Sequence, residues 1–186
     1  TLWLKNASLV GDLYIGRVID RVDLTPTNIT STVSVANLTI LTGGYLFIGP
    51  AVTLTLSSSS TIGTSTGTAY LDVDGIFAVT STFSVPTKLE LQISPTDFSG
   101  VTDLTIDAAG TLNLEENATS TSAWSLNTLT VNGFLTHKSN SSTVLHAINI
   151  SANTITVGSG GFVSTTGKGF AGGATTSNGS GPGSGV

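Results

Sequence analysis

Asp72 and Asp74 stand two residues apart in the stretch Tyr70-LDVDGIFAV. In an extended strand this spacing puts both carboxylates on one side, with Cα atoms about 6.5 Å apart. Paired carboxylates at such separations serve glycoside hydrolysis, one as acid and the other as base or nucleophile. Together with Asp103 and Asp107 they are also the chain's candidate calcium ligands, although no loop of closely spaced oxygen donors accompanies them. Asp74 opens an Asp-Gly turn, where aspartate is common because its side chain bonds the local backbone. The two arginines, Arg17 and Arg21, that could grip an acidic sugar are both distant in sequence. The expectation is no catalytic residue, no metal, no cofactor and no enzymatic activity.

The remaining chemistry-bearing residues are sparse. Cysteine is absent, which removes disulfides, thiol catalysis and thiolate metal sites. His137 and His146 are the two histidines, and neither lies at a metal-binding spacing. Gly167-KGFA-Gly172 matches the dinucleotide fingerprint in letters, but the residues after it are mostly Gly, Ser and Thr with Pro182, so no helix receives a pyrophosphate. The sharpest signal is Asn-x-Ser/Thr. It occurs at Asn6, Asn28, Asn37, Asn117, Asn140, Asn149 and Asn178. Serine and threonine are 56 of 186 residues, so eleven asparagines would give about three such triplets by chance, against seven present. The excess predicts N-glycosylation at these seven positions and passage through a secretory route.

Composition restricts the elements that hold these residues. Charged residues are 9 % and apolar residues 39 % of the 186. A net charge of −5 with six Lys plus Arg excludes tracking a nucleic-acid backbone. No run of 18 apolar residues exists, so no membrane insertion is expected. Methionine is absent, which suggests a processed product or a fragment beginning at Thr1.

Thr, Val, Ile, Ser and Gly favour strands and turns. They recur in one phrase, an apolar-ended triplet, a glycine turn and a second apolar strand. It reads Asn37-LTI-LTGG-YLFI, Tyr70-LDV-DG-IFAV, Asp103-LTI-DAAG-TLNL, Thr128-LTV-NG-FLTH and Thr154-ITV-GSGG-FVST. Even steps across the turns keep one face inward. The pairs Leu38/Ile40, Leu71/Val73, Leu104/Ile106, Leu129/Val131 and Ile155/Val157 are then predicted to stack as apolar columns. The positions between them, Thr39, Asp72, Thr105, Thr130 and Thr156, point outward as a hydroxyl-rich ladder. Such ladders raise ice binding as a function, which requires a regular Thr-x-Thr array. Third strands are predicted at Val52–Leu56, Leu89–Ile93, Trp124–Leu126 and Val144–Ile150.

A phrase repeated every 25–33 residues predicts an all-β parallel β-helix, or β-solenoid, of about five to six coils over residues 1–165. Residues 166–186 come next as a Gly/Ser-rich tail or inter-subunit contact segment. A β-sandwich is the alternative fold. The phrases of residues 37–165 resemble secreted right-handed parallel β-helix proteins of the adhesin and surface-filament kind. That resemblance implies an extracellular structural or adhesive role. The expected function is a secreted surface-fibre subunit that partners copies of itself head to tail by strand donation, and also surface carbohydrates. A polysaccharide lyase or hydrolase on the same fold, and a carbohydrate-binding sandwich, are the rival readings.

Overall fold

The computed structural model describes residues 2–4, 11–16, 26–56, 68–79, 82–86, 89–115, 123–170, 172 and 179. Among these residues every regular element is a strand. In chain order they begin with β1 (Leu2–Leu4), β2 (Leu13–Ile15), β3 (Thr27–Ile29) and β4 (Val33–Val35). Then come β5 (Leu38–Ile40), β6 (Tyr45–Ile48), β7 (Thr53–Leu56), β8 (Ala69–Val73) and β9 (Ile76–Ala78). The middle holds β10 (Thr82–Val85), β11 (Leu89–Ile93), β12 (Phe98–Ser99), β13 (Asp103–Ile106) and β14 (Thr111–Leu114). Last are β15 (Trp124–Val131), β16 (Phe134–His137), β17 (Ile150–Val157) and β18 (Phe162–Val163).

Pairing sorts them into three faces of a parallel β-solenoid of about five turns. The long face is a seven-stranded sheet, β3-β6-β8-β11-β14-β16-β18. The second face is β4-β7-β9-β12. Two sheets share the third place in the cycle: β2-β5, with β1 antiparallel outside β2, and β10-β13-β15-β17. All other pairings are parallel, as one-directional winding requires. Successive residues of one long-face column are Thr27, Leu46, Leu71, Leu91, Leu112, Leu135 and Val163, so turns are 19, 25, 20, 21, 23 and 28 residues long.

Alternation of apolar and polar residues explains the core. Leu46, Leu71, Leu91, Leu112 and Leu135 are each at most 1 % exposed and stack in register, while their neighbours face out. The second face contributes Phe77 and Phe98, whose rings stack at 5.7 Å between centroids. Phe83 and Trp124 of the third face close on Phe98 at 5.0 and 5.6 Å, so one aromatic group ties two faces together. Burial of such side chains contributes roughly 1.5–3 kcal/mol each before chain entropy is subtracted.

The predicted stacking frame needs one correction. Leu71 and Val73 do not continue the Leu38/Ile40 and Leu104/Ile106 columns. β8 lies on the long face between β6 and β11, and Phe83/Val85 of β10 sit beneath Leu104/Ile106. The cause is a shared corner chemistry. Asp74 and Gly75 both donate their N–H groups to the Ile48 carbonyl, and Ile76 donates to that of Val52. Asn132 and Gly133 donate in the same way to Ile106, and Phe134 donates to Gly110. The first corner turns the long face into the second, whereas the other turns the third face into the long one. In both, a Cβ on the glycine would meet two carbonyl oxygens of the corner below, those of Val52 and Gly49 or of Asp107 and Gly110. Two-residue corners of the same hydrogen-bond pattern, Asp-Gly and Asn-Gly, therefore occur at different places in the cycle.

Three further expectations change. Leu89–Ile93 belongs to the long face, Trp124–Leu126 is the start of the eight-residue β15, and Val144–Ile150 is irregular up to Ile150. Ile155 and Val157 keep their column, above Leu129 and Val131, but are 55 % and 50 % exposed. Nothing among the described residues stacks beyond β17, so the inward side of this last strand is uncovered.

Candidate functional site

The outer side of the long face gathers a cluster of ionisable side chains. Period-two alternation projects Asp72 outward from β8, and the corner after it carries Asp74. Glu115 follows β14 with the same parity, two turns further along. Carboxylate oxygens of Asp72, Asp74 and Glu115 all lie within 4.8 Å of one another. Asp74 is exposed, Asp72 half-buried, and Glu115 only 7 % exposed.

Neighbouring turns furnish the partners. The Tyr45 hydroxyl donates to Asp72 Oδ2 at 2.9 Å, and Gln92 Nε2, from the strand beside it, donates to Asp72 Oδ1 at 3.0 Å. Lys138 Nζ donates to Glu115 Oε1 at 2.6 Å. Burial, reinforced by the bond to Asp72 and the charges of Asp72, Asp74 and Glu115, pushes the Tyr45 phenol up to about 12. Lys138 is held above the usual lysine value by its bond to Glu115, with burial opposing and the other two carboxylates assisting. Among the described residues the patch brings three carboxylates and one ammonium together.

Two more polar side chains complete the row. Asn113 is the register partner of Gln92 and Thr136 that of Asn113, so Asp72, Gln92, Asn113 and Thr136 form one outward column. Asn113 is 8 % exposed and Thr136 3 %, and Asn113 Oδ1 and Thr136 Oγ1 have no hydrogen-bond partner. A buried acceptor in this condition is uncommon.

The structure thus keeps Asp72 and Asp74 together but separates them from the other aspartates named with them. Asp103 lies on the third face, where the Thr102 hydroxyl donates to it at 2.9 Å. Asp107 occupies the corner below Gly133, its carboxyl raised above the usual aspartate value by burial. Sequence spacing does not single out Glu115, Lys138, Tyr45 or Gln92; they converge only because of how long each intervening turn is. His137 points inward above Leu114, buried, its Nδ1–H donating to the Lys138 carbonyl at 2.7 Å. Past Gly172 only Gly179 is described, so the stretch that follows Gly167-KGFA-Gly172 lies outside the described residues. Arg17 and Arg21 lie outside them.

The outward hydroxyls also regroup. On the third face Thr82, Asp103, Thr128 and Thr154 form one column, and Ser84, Thr105, Thr130 and Thr156 the next. Asp72 and Thr39 belong to other sheets. Of the seven predicted glycan acceptors, Asn6, Asn117 and Asn178 lie outside the described residues. Asn28 is exposed on β3. Asn37 donates from Nδ2 to Asp12 Oδ1 at 2.7 Å, and Asn149 is half-buried. Asn140 works structurally: its Oδ1 accepts from the Leu145 and His146 N–H groups, and its Nδ2 donates to the His146 carbonyl. Its own N–H reaches the Lys168 carbonyl at 3.0 Å, which ties residues past 165 to the body.

Comparison of the chain with protein-family models, with curated proteins and with solved structures returns no match.

Proposed function

We propose that this chain is an extracellular structural or adhesive glycoprotein, a fibre subunit that assembles head to tail through its terminal turn. The observation that supports this reading is the uncovered end at β17 and β18. Ile155, Val157 and Val163 are 50–55 % exposed, while their column partners Leu129, Val131 and Leu135 are buried. Among the described residues β17 pairs only with β15, leaving eight residues of parallel edge. An open edge above an apolar cross-section is a template for another chain's strand. A second copy's first turn is the occupant argued for, because a contact between opposite ends that does not close propagates as a filament.

Light scattering against concentration tests it. The parent chain is expected to grow in mass, and Val157→Lys, a change at a half-exposed position, is expected to stay monomeric. A parent that remains monomeric at high concentration, or a variant that assembles equally, overturns the assembly. Intact mass of natively produced chain, before and after removal of N-linked glycans, tests the glycoprotein reading. A mass equal to the bare 18.8 kDa overturns that part.

The regular third face supports a second reading, binding to an ordered surface such as ice. Seven of eight positions in its two columns are Thr or Ser, spaced by about 4.8 Å between strands and roughly 6.6 Å along them. Thr130→Tyr would abolish a thermal-hysteresis activity that depended on this lattice. A parent without hysteresis removes the reading.

A further inference from the structure

We propose that Asp72, Asp74, Glu115 and the side-chain oxygen of Asn113 form a calcium site on the outer side of the long face. The site is independent of the assembly argued above. Three oxygens no more than 4.8 Å apart lie within 4.8 Å/√3, about 2.8 Å, of a common point. Calcium–oxygen bonds are roughly 2.3–2.6 Å, so a few tenths of an ångström of side-chain adjustment brings all three into contact. Magnesium demands roughly 2.0–2.1 Å and near-ideal octahedral geometry, which this spacing fits less well.

The second observation is the orphaned amide. Asn113 stands two residues before Glu115 on one strand and beside Gln92, the residue that holds Asp72, so its side chain projects into the row that the carboxylates border. It is more than nine-tenths buried, and its Oδ1 has no partner among the protein's own groups. A neutral carbonyl-type oxygen among carboxylates is a donor that a hard cation uses and that a network of Lys and Tyr donors leaves idle. Charge agrees with this assignment. Three carboxylates converge on the site, a charge that a divalent ion would offset. Tyr45 and Gln92 hold Asp72 in place from the neighbouring strands, as outer partners of a ligand do.

The test uses the full chain stripped of metal with a chelator. It is titrated with CaCl₂ by calorimetry and with TbCl₃ by luminescence excited through tyrosine, since the Tyr45 hydroxyl is 2.9 Å from Asp72. One calcium per chain is expected, with a Kd on the order of 10⁻⁴ M and a raised thermal midpoint. Asp74→Asn and Glu115→Gln should each weaken binding about tenfold or more. Asp103→Asn, on another face, should leave it unchanged. Asp74 is exposed, so its variant keeps the test decisive even if Glu115→Gln fails to fold, and circular dichroism identifies that failure. Absence of calcium heat and of terbium emission, magnesium binding as tight as calcium, or binding unaltered in Asp74→Asn overturns the site.

Discussion

Lys138 is bonded to Glu115 by its side chain and to the residue before Glu115 by its backbone. Lys138 Nζ lies 2.6 Å from Glu115 Oε1, and the Lys138 N–H donates at 2.9 Å to the carbonyl of Leu114, the residue just before Glu115. The ammonium is 48 % exposed and the carboxylate 9 %, so the pair is a lid of solvated charge over a buried one.

Removing the lid is expected to destabilise the fold. Lys138→Met leaves Glu115 buried beside Asp72 and Asp74 without its cation, a loss of about 1–2 kcal/mol once the exposure of the lysine is discounted. Denaturant melts at neutral pH and low salt measure it.

An alkaline limb should arise from the same cluster. Lys138 and Tyr45 both hold their protons more tightly folded than unfolded. Their stabilisation is whole below the ordinary values of 10.5 and 10.0 and is lost as pH climbs through the raised ones, to about 12 for Tyr45. Thermal midpoints should fall across that window, and less steeply in Tyr45→Phe. A flat profile there would contradict the hydroxyl–carboxylate bond.

The corner glycines should be unequal. Gly133→Ala drives a methyl into the carbonyl oxygens of Asp107 and Gly110 and is expected to cost about 2–4 kcal/mol. Gly169→Ala has open space around it and should stay within about 0.5 kcal/mol of the parent. Paired denaturant melts decide.

Ala109 adopts φ +59°, where an alanine is strained, and Gly43 holds φ 69° at the corresponding place in the Leu41–Gly44 corner. Ala109→Gly should therefore stabilise by about 0.5–1 kcal/mol, read as a higher thermal midpoint.

Thr136→Val replaces a buried hydroxyl that has no protein partner by a methyl of the same shape. It should raise stability by about 1 kcal/mol, with the calcium titration unchanged. Destabilisation would mean the hydroxyl is satisfied in solution.

Much of this architecture is readable from residue order. The alternation Leu-Thr-Ile and Leu-Asn-Leu announces strands with one buried side, and Asp-Gly and Asn-Gly announce tight corners, because both patterns are local. Cyclic placement is not local. A two-residue corner looks the same wherever the chain turns, so the repeated phrase aligns Leu71 with Leu38 although Leu71 rests on Leu46. Ile155 has the parity of a core residue but is not buried, since burial requires a turn beyond it as well as the correct side of a strand. The acidic patch is half legible. Asp72 and Asp74 share one strand and the corner that ends it, whereas Glu115 joins them only because the two turns between Leu71 and Leu112 span 20 and 21 residues. Such lengths are set by corner geometry and leave no signature at Glu115 itself.

The exposed inward side of β17 also makes this end of the described stack a place where loosening starts. Energy in a stack of this kind is shared only between adjacent layers, so an interior layer is held from two sides, whereas among the described residues the β17–β18 layer at one end and the β3–β4 layer at the other are each held from one. Counted inward from this end, amide hydrogens of β17 should exchange with solvent before those of β15 and β16, and those beside the Phe77–Phe98 rings later still. The protein would then behave as a ladder of partly open states, and a single midpoint from a melt would average over them.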